Sequence, residues 1–418
     1  MRVLLVGDGV FADRAGGGRR YLWGLATMLA AAGHQVDVLG PQLSPHLPRR
    51  EVVDGVQIVR HAAPAGSAPW KVIARVAAAA QVARHLLDTH SYDVVNTHFA
   101  QTGFGAMLAG AGRSVPLLAH FQGPWAGEVW TERLAIWESA STAGRIQRQV
   151  LTRAICTLMH RLERKVMRTA GRVVVLSRFS RQVLAHVHGV PSDRILVIPG
   201  GFHPHRFPLA PSRAQARAAL GLPAGAPLIF TARRLVRRMG LDLLLAAAAH
   251  LLRGGVAARW YIAGTGPLAT ELRERIAHLG LTERAVLLGR VPESDLPTWF
   301  GAADLCVVPS TAYEGFGLVS VESLSCGTPV VVTPTGANPE VVAPLAPWCV
   351  APTVTAEALA RTIQTALSGQ LPGPQACRQY AVRRFGWETV YPLNEVALRW
   401  VATTASPSVA SATAPSTN

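Results

Sequence analysis

Short runs of apolar, mostly β-branched residues recur between longer helix-forming stretches, and that alternation restricts the fold of this chain more than any other feature. Residues 3–6, 36–39, 94–97, 117–120 and 173–176 read as buried strands in the first half. Residues 228–231, 260–263, 286–288, 305–308 and 330–333 repeat the rhythm in the second, interleaved with Ala- and Leu-rich helical segments such as 241–253 and 269–279. Continuous apolar strands alternating with helices make parallel sheets covered on both faces, so the pattern predicts doubly wound α/β domains. At 418 residues the chain is too long for one hydrophobic core, and the Pro- and Gly-dense stretch from Ile198 to Pro211 separates the two sets of strands as a linker.

Composition narrows the class. Apolar types make up 49% of the chain, with ten tryptophans, which excludes wholesale disorder. The formal charge is +16, and only Lys71 and Lys165 among the basic residues are lysines. A basic face of that kind attracts nucleotides, phospholipid headgroups or nucleic acid, although an Arg- and Ala-heavy vocabulary also follows from gene base composition. The five cysteines contain no C-x-x-C pair and lie in apolar surroundings, so they read as reduced, buried hydrophobes. The opening apolar run, closed at Gly7, is too short for a signal peptide, and the stretch 241–252 falls short of the roughly 20 residues needed to cross a bilayer. The expectation is a cytoplasmic protein, or one peripheral on the inner face of a membrane.

The densest constellation follows the strand 305–308. Pro309-Ser310-Thr311-Ala312-Tyr313-Glu314-Gly315-Phe316-Gly317-Leu318 leads into a helix carrying Glu322 and stopping near Gly327. Gly315 and Gly317 permit a tight turn and expose amide hydrogens at a helix N-terminus, which suits a phosphate. Glu314 and Glu322 can then accept hydrogen bonds from sugar or ribose hydroxyls. The plainer alternative is that Glu314 caps the helix and Glu322 is solvated.

These residues resemble the retaining glycosyltransferases of family 4, which have the GT-B fold: two doubly wound Rossmann-like domains facing a central cleft. Further matches are Gly264-Thr265-Gly266-Pro267, Gly289-Arg290-Val291, Cys326-Gly327-Thr328-Pro329-Val330-Val331 and Gly336-Ala337-Asn338-Pro339-Glu340. The resemblance implies that Glu322 binds the ribose of a nucleotide-sugar donor, that Val291 lies where the base meets backbone, and that Glu314 with the amides of Gly315, Phe316, Gly317 and Leu318 contacts the transferred sugar and phosphates. It also places Arg234 on the diphosphate, followed five residues later by a lysine. Met239 stands at the lysine position here, a departure that leaves Arg238 as the compensating cation if it folds back, with a surface arginine as the alternative.

In the first half, Gly16-Gly17-Gly18 precedes a helix and is similar to the family's Gly-Gly loop, which makes Gly17 and Gly18 donor-site candidates. Asp37 lies about 20 residues on, as a dinucleotide fingerprint requires, so a dehydrogenase using NAD stays open on these residues alone. His98 and His120 fall at strand ends facing the cleft, and His120 matches the family's position for a histidine near the transferred sugar. The resemblance thus makes Glu314, His120 and Arg234 the catalytic candidates. The pairs His186/His188 and His203/His205 lack a third ligand at useful spacing, so no metal site and no cofactor beyond the nucleotide-sugar co-substrate are expected.

Residues Arg145 to Arg168 form a basic amphipathic segment that could lie on anionic lipid or pack as an ordinary helix. Arg383-Arg384-Phe385-Gly386-Trp387-Glu388 resembles the start of the family's last helix, which returns to the first domain. The expected organisation is an N-terminal acceptor-binding domain at 1–198, a linker at 199–213, a C-terminal nucleotide-sugar domain at 214–382, the returning helix at 383–401 and a disordered tail at 402–418. The implied function is transfer of a sugar from a nucleoside-diphosphate sugar to an acceptor hydroxyl on a glycan, a lipid-linked molecule or a small molecule, without nucleic acid as partner. The rival readings are a nucleotide-sugar epimerase of the same fold and a non-catalytic basic protein that binds membranes or nucleic acid.

Overall fold

The computed structural model describes residues 1–9, 16–64, 69–137, 142–369 and 371–404. The first domain is built on β1 (Arg2–Val6), β2 (Gln35–Pro41), β3 (Arg50–Val53), β4 (Val56–His61), β5 (Val94–Thr97), β6 (Leu117–Phe121), β7 (Arg172–Val175) and β8 (Ile195–Val197). They form one sheet in the order β3-β4-β2-β1-β5-β6-β7-β8, parallel throughout except for the β3–β4 hairpin. Its helices are α1 (Gly17–Ala31), α2 (Pro69–Thr89), α3 (Ala100–Ala109), α4 (Trp125–Trp137), α5 (Thr142–Thr169) and α6 (Arg178–His188).

The second domain has β9 (Leu228–Ala232), β10 (Arg259–Ala263), β11 (Ala285–Gly289), β12 (Leu305–Val308) and β13 (Val330–Val332), all parallel in the order β11-β10-β9-β12-β13. Around it lie α7 (Arg213–Ala219), α8 (Leu241–Arg253), α9 (Ala269–His278), α10 (Leu296–Ala302), α11 (Leu318–Ser325), α12 (Asn338–Val342), α13 (Ala356–Leu367) and α14 (Pro374–Phe385), with α15 (Trp387–Thr404) last. The architecture is two Rossmann-like α/β domains. Reversals of strand order beside β1 and β9 open a crevice at the carboxyl ends of each sheet, where such folds take ligands.

Each strand expected from the apolar runs is present. Three others escaped notice: β3, β4 and β8. The first two form a hairpin around Asp54-Gly55, with φ of 50° and 76°, the turn that an Asp-Gly pair between β-branched residues favours. Helix α8 buries Leu241, Leu244, Leu245, Ala248 and Leu251 at helical spacing, which explains why it forms where the sequence pattern places it.

The chain passes twice between the domains, and the two passes pair. Phe202 donates its amide to the Phe385 carbonyl and accepts from the Trp387 amide, both at 3.0 Å. Helix α15 then packs on α1, β5 and β6 of the first domain. It runs to Thr404, three residues beyond the expected end, because Val401 is buried and Trp400 lies under the Arg172 guanidinium at 3.8 Å. Residues 405–418, the rest of the expected disordered tail, lie outside the described residues.

Trp387 is 2% exposed and its indole occupies the space that a side chain at Gly24 or Gly201 would need. Replacing Gly24 by Ala gains about 1 kcal/mol of helix propensity. Overpacking against a fixed indole costs about 1–3 kcal/mol. Gly24→Ala is therefore expected to lower the urea midpoint rather than raise it.

Candidate active site

Strand β12 delivers the loop 309–317 to the N-terminus of α11. Tyr313 adopts φ 49°, rare for a bulky residue, and Gly317 adopts φ 87°. What holds the loop is the side chain between them. Glu314 is 8% exposed, and its Oε2 accepts from Arg233 and, at 2.6 Å, from the Ser310 hydroxyl. Burial alone would raise this carboxyl, but Arg233, Ser310 and Arg238 outweigh it and hold the pKa below the usual carboxylate range. The alternative of Glu314 as a simple helix cap does not hold, since Gly317 is the N-cap residue.

Glu322 is 1% exposed, not solvated. It accepts from Arg20 of α1, which also meets Glu293 at 3.3 Å. The Gly loop of the first domain lies opposite: a side chain at Gly17 would lie 3.7 Å from Leu318 Cδ1, and one at Gly18 would lie 2.7 Å from Gln122 Oε1. Gly315 comes close to the Gln122 carbonyl, and the Ser177 and Ser180 hydroxyls lie 2.8 and 3.2 Å from its own carbonyl oxygen. Phe316 is buried, its ring edge-on to Phe385 with centroids 5.5 Å apart. Val291 is partly buried against the core after the Gly289 turn.

The arginines separate into distinct roles. Arg233, which motif spacing passed over, is the buried partner of Glu314. Arg234, the spacing candidate, is half-exposed and donates to Glu132 of α4 at 3.0 Å. Arg237 turns outward to Asp242 and Glu271. Arg238 is 7% exposed and folds back onto the loop, donating to the Tyr313 carbonyl at 3.2 Å and to Glu128 of α4 at 2.9 Å. Met239 is buried. The Nε–H groups of Arg233 and Arg238 are buried without a hydrogen-bond partner, as are Ser320 Oγ and Asn338 Oδ1. Two arginines with a buried Nε–H lacking a hydrogen bond thus lie beside a glycine loop and a helix N-terminus, groups whose chemistry suits an anion.

His120 and His98 stack with ring centroids 4.1 Å apart. Asn394 of α15 accepts from the Tyr21 hydroxyl at 3.0 Å and from His120 Nε2 at 3.1 Å. Burial lowers His120 to about 4, so the neutral ring carries its proton on Nε2. Its Nδ1 lies 2.9 Å from Asn96 Oδ1. Both His120 nitrogens are thus committed to the scaffold, whereas His98, paired only through Nδ1 to Gln122 at 3.4 Å, keeps a buried Nε2 without partner.

Asp37 lies within β2 rather than at its end, buried and bound by Arg2 and the Tyr92 hydroxyl, which leaves no carboxylate for a dinucleotide ribose. His188 is fully buried against Glu163, 3.1 Å away. Among the described residues no group of three or more His, Cys, Asp or Glu is placed to hold a metal ion.

Residues 15–206 match the family described as Glycosyltransferase Family 4, and residues 212–384 match glycosyl transferases group 1. The chain is 32% identical to D-inositol 3-phosphate glycosyltransferase 1 of Catenulispora acidiphila, over 77% of this chain and 75% of that one. It is 29% identical to 2-deoxystreptamine glucosyltransferase of Streptomyces kanamyceticus, over 67% and 70%. Among solved structures, sucrose-phosphate synthase from Thermosynechococcus elongatus superposes with a TM-score of 0.78 at 23% identity, covering 96% of this chain and 98% of that one. Anabaena HepE in complex with UDP-glucose gives 0.70 at 20%, covering 96% and 100%.

The two neighbouring arginines should separate in a stability assay. Arg233→Ala strands a buried carboxylate and is expected to cost about 3–5 kcal/mol. Arg234→Ala removes a half-exposed pair worth about 0–1 kcal/mol, so thermal melts of the two variants should differ widely.

Proposed function

The chain belongs to glycosyltransferase family 4 and transfers a sugar from a nucleotide-sugar donor, and from that premise we propose that it retains anomeric configuration by front-face displacement onto a small-molecule hydroxyl. The single observation behind this reading is the state of the cleft carboxylates. Glu128, Glu132, Glu314 and Glu322 are each paired with an arginine, and Glu314, within the loop, is clamped on one oxygen by two donors. A carboxylate held in that way orients a ligand and is a poor covalent nucleophile.

The donor diphosphate lies against the amides of Gly315 to Leu318 and the guanidiniums of Arg234 and Arg238, with Arg238 supplying the charge that Met239 does not. Glu322 takes the ribose, with Arg20 giving way. The acceptor hydroxyl attacks the anomeric carbon on the face that the diphosphate leaves; the carbon–oxygen bond to phosphate breaks, and the departing phosphate oxygen takes the acceptor proton. Arginines and helix amides stabilise the charge on that oxygen without a metal. The names of two relatives carry small molecules, 2-deoxystreptamine and D-inositol 3-phosphate, which supports an acceptor of that size.

A second reading, a lipid-linked acceptor met at a membrane surface, has its own observation. In α5, Ile146, Val150 and Leu151 are exposed beside Arg148 and Arg153, while the one acidic residue of the helix, Glu163, is buried. The side chain of Arg145 lies outside the described residues. Among the described residues no helix is long and apolar enough to cross a membrane.

Melting against UDP, GDP and ADP tests the donor site. A nucleotide at 100 times its dissociation constant should stabilise by about 2.7 kcal/mol, and the shift should disappear in Glu322→Ala. Glu314→Ala should depress turnover as well as donor binding; unchanged kinetics in both variants would sink the assignment. The anomeric configuration of the product, read by NMR, decides retention. Sedimentation with anionic vesicles should capture the protein at low salt and release it as ionic strength rises if α5 docks on lipid.

A further inference from the structure

The acidic residues of α4 stand where the phosphates would be expected to stand. Glu128 and Glu132 are four residues apart on one helix face, and both are turned across the cleft. Glu128 Oε2 lies 2.9 Å from Arg238 Nη2, while Glu132 Oε1 lies 3.0 Å from Arg234 Nη2 and 3.8 Å from Arg238 Nε. The fit is close on both sides. Gly123 leaves room for the Glu128 carboxylate, and Gly127 lets α4 approach the Tyr313 ring, 3.1 Å from where a side chain would begin.

Arg238 is buried, and a buried guanidinium without an anion is costly, so in the free protein these carboxylates are its counter-ions. A diphosphate arriving on the same guanidiniums must displace them. The exchange is carboxylate for phosphate oxygen on the same donors, so each can replace the other.

We propose that Glu128 and Glu132 are built-in competitors for the nucleoside diphosphate, which they expel from Arg238 and Arg234 after sugar transfer. This rests on the reading that those two arginines hold the diphosphate. Before transfer the donor has the added contacts of its sugar and outcompetes the carboxylates. After transfer the product has lost that sugar and, once the proton taken from the acceptor passes to water, carries one more negative charge on its terminal phosphate, which tightens its hold on the arginines. The returning carboxylates offset that gain and let the nucleotide leave, a step that limits many enzymes.

The test is product inhibition. The tightest binder among UDP, GDP and ADP is titrated into wild type, Glu132→Gln and the nearly isosteric double variant Glu128→Gln/Glu132→Gln. The double variant should bind the nucleotide about tenfold more tightly, equivalent to about 1.4 kcal/mol, and turn over more slowly at saturating donor. Its ligand-free melting point should fall as its nucleotide-induced shift grows. A merely structural role for the carboxylates would weaken nucleotide binding, and unchanged or weaker product inhibition overturns the proposal. If the double variant does not fold, Glu132→Gln decides in the same direction. Arg238→Ala separates the two ideas: nucleotide affinity unchanged in that variant refutes the diphosphate site itself, whereas affinity lost there but not gained in the glutamine variants refutes only the competition.

Discussion

The buried ion pair between Arg233 and Glu314 is the interaction on which the cleft depends. It ties the end of β9 to the loop after β12, and the Ser310 side-chain hydroxyl closes the arrangement from within the loop. With Glu314 anchored, Tyr313 is held at a backbone angle that a free loop would abandon, and Gly315 and Gly317 present their amides from a fixed position. A pair of this kind gives little net stability, because desolvation consumes most of the attraction. What it gives is geometry, since neither partner has another place to go.

Across the cleft the domains meet through charge, while a single apolar cluster continues from one domain into the other. Glu340 accepts from the amides of Arg178 and Phe179 at 2.9 and 2.8 Å, capping α6 from the other domain, while Arg20 reaches Glu322 and α4 reaches Arg234 and Arg238. Such contacts exchange readily with water and ligand. The apolar continuity is confined to the hinge side, where Phe316, Phe385 and Trp387 pack.

The strands and the loop 309–322 could be read in the sequence because each is a local pattern: period, apolar run, glycine spacing. The hairpin at Asp54-Gly55 was equally local, and its turn signal was present. Other features were out of reach for a physical reason. Whether Arg233 or Arg234 enters the core depends on the side from which β9 ends, and a one-residue shift turns a strand residue to the opposite face. The partners of Arg20 and Arg238 lie more than a hundred positions away, in Glu322 and Glu128. The commitment of His120 to Asn394 likewise joins residues 274 positions apart, so no spacing rule distinguished it from His98.

The returning helix bears on how this chain is made. Tyr21 and His120 complete their hydrogen bonds only with Asn394, and Gly24 is shaped to receive Trp387. During synthesis residues 1–198 therefore emerge long before the helix that completes their packing leaves the ribosome. Until α15 arrives, a furrow beside α1, β5 and β6 stands open, lined by polar groups in want of partners and by the bed of a tryptophan. Residues 199–386 are made in the meantime, so the first domain is complete only once the chain has been translated through α15.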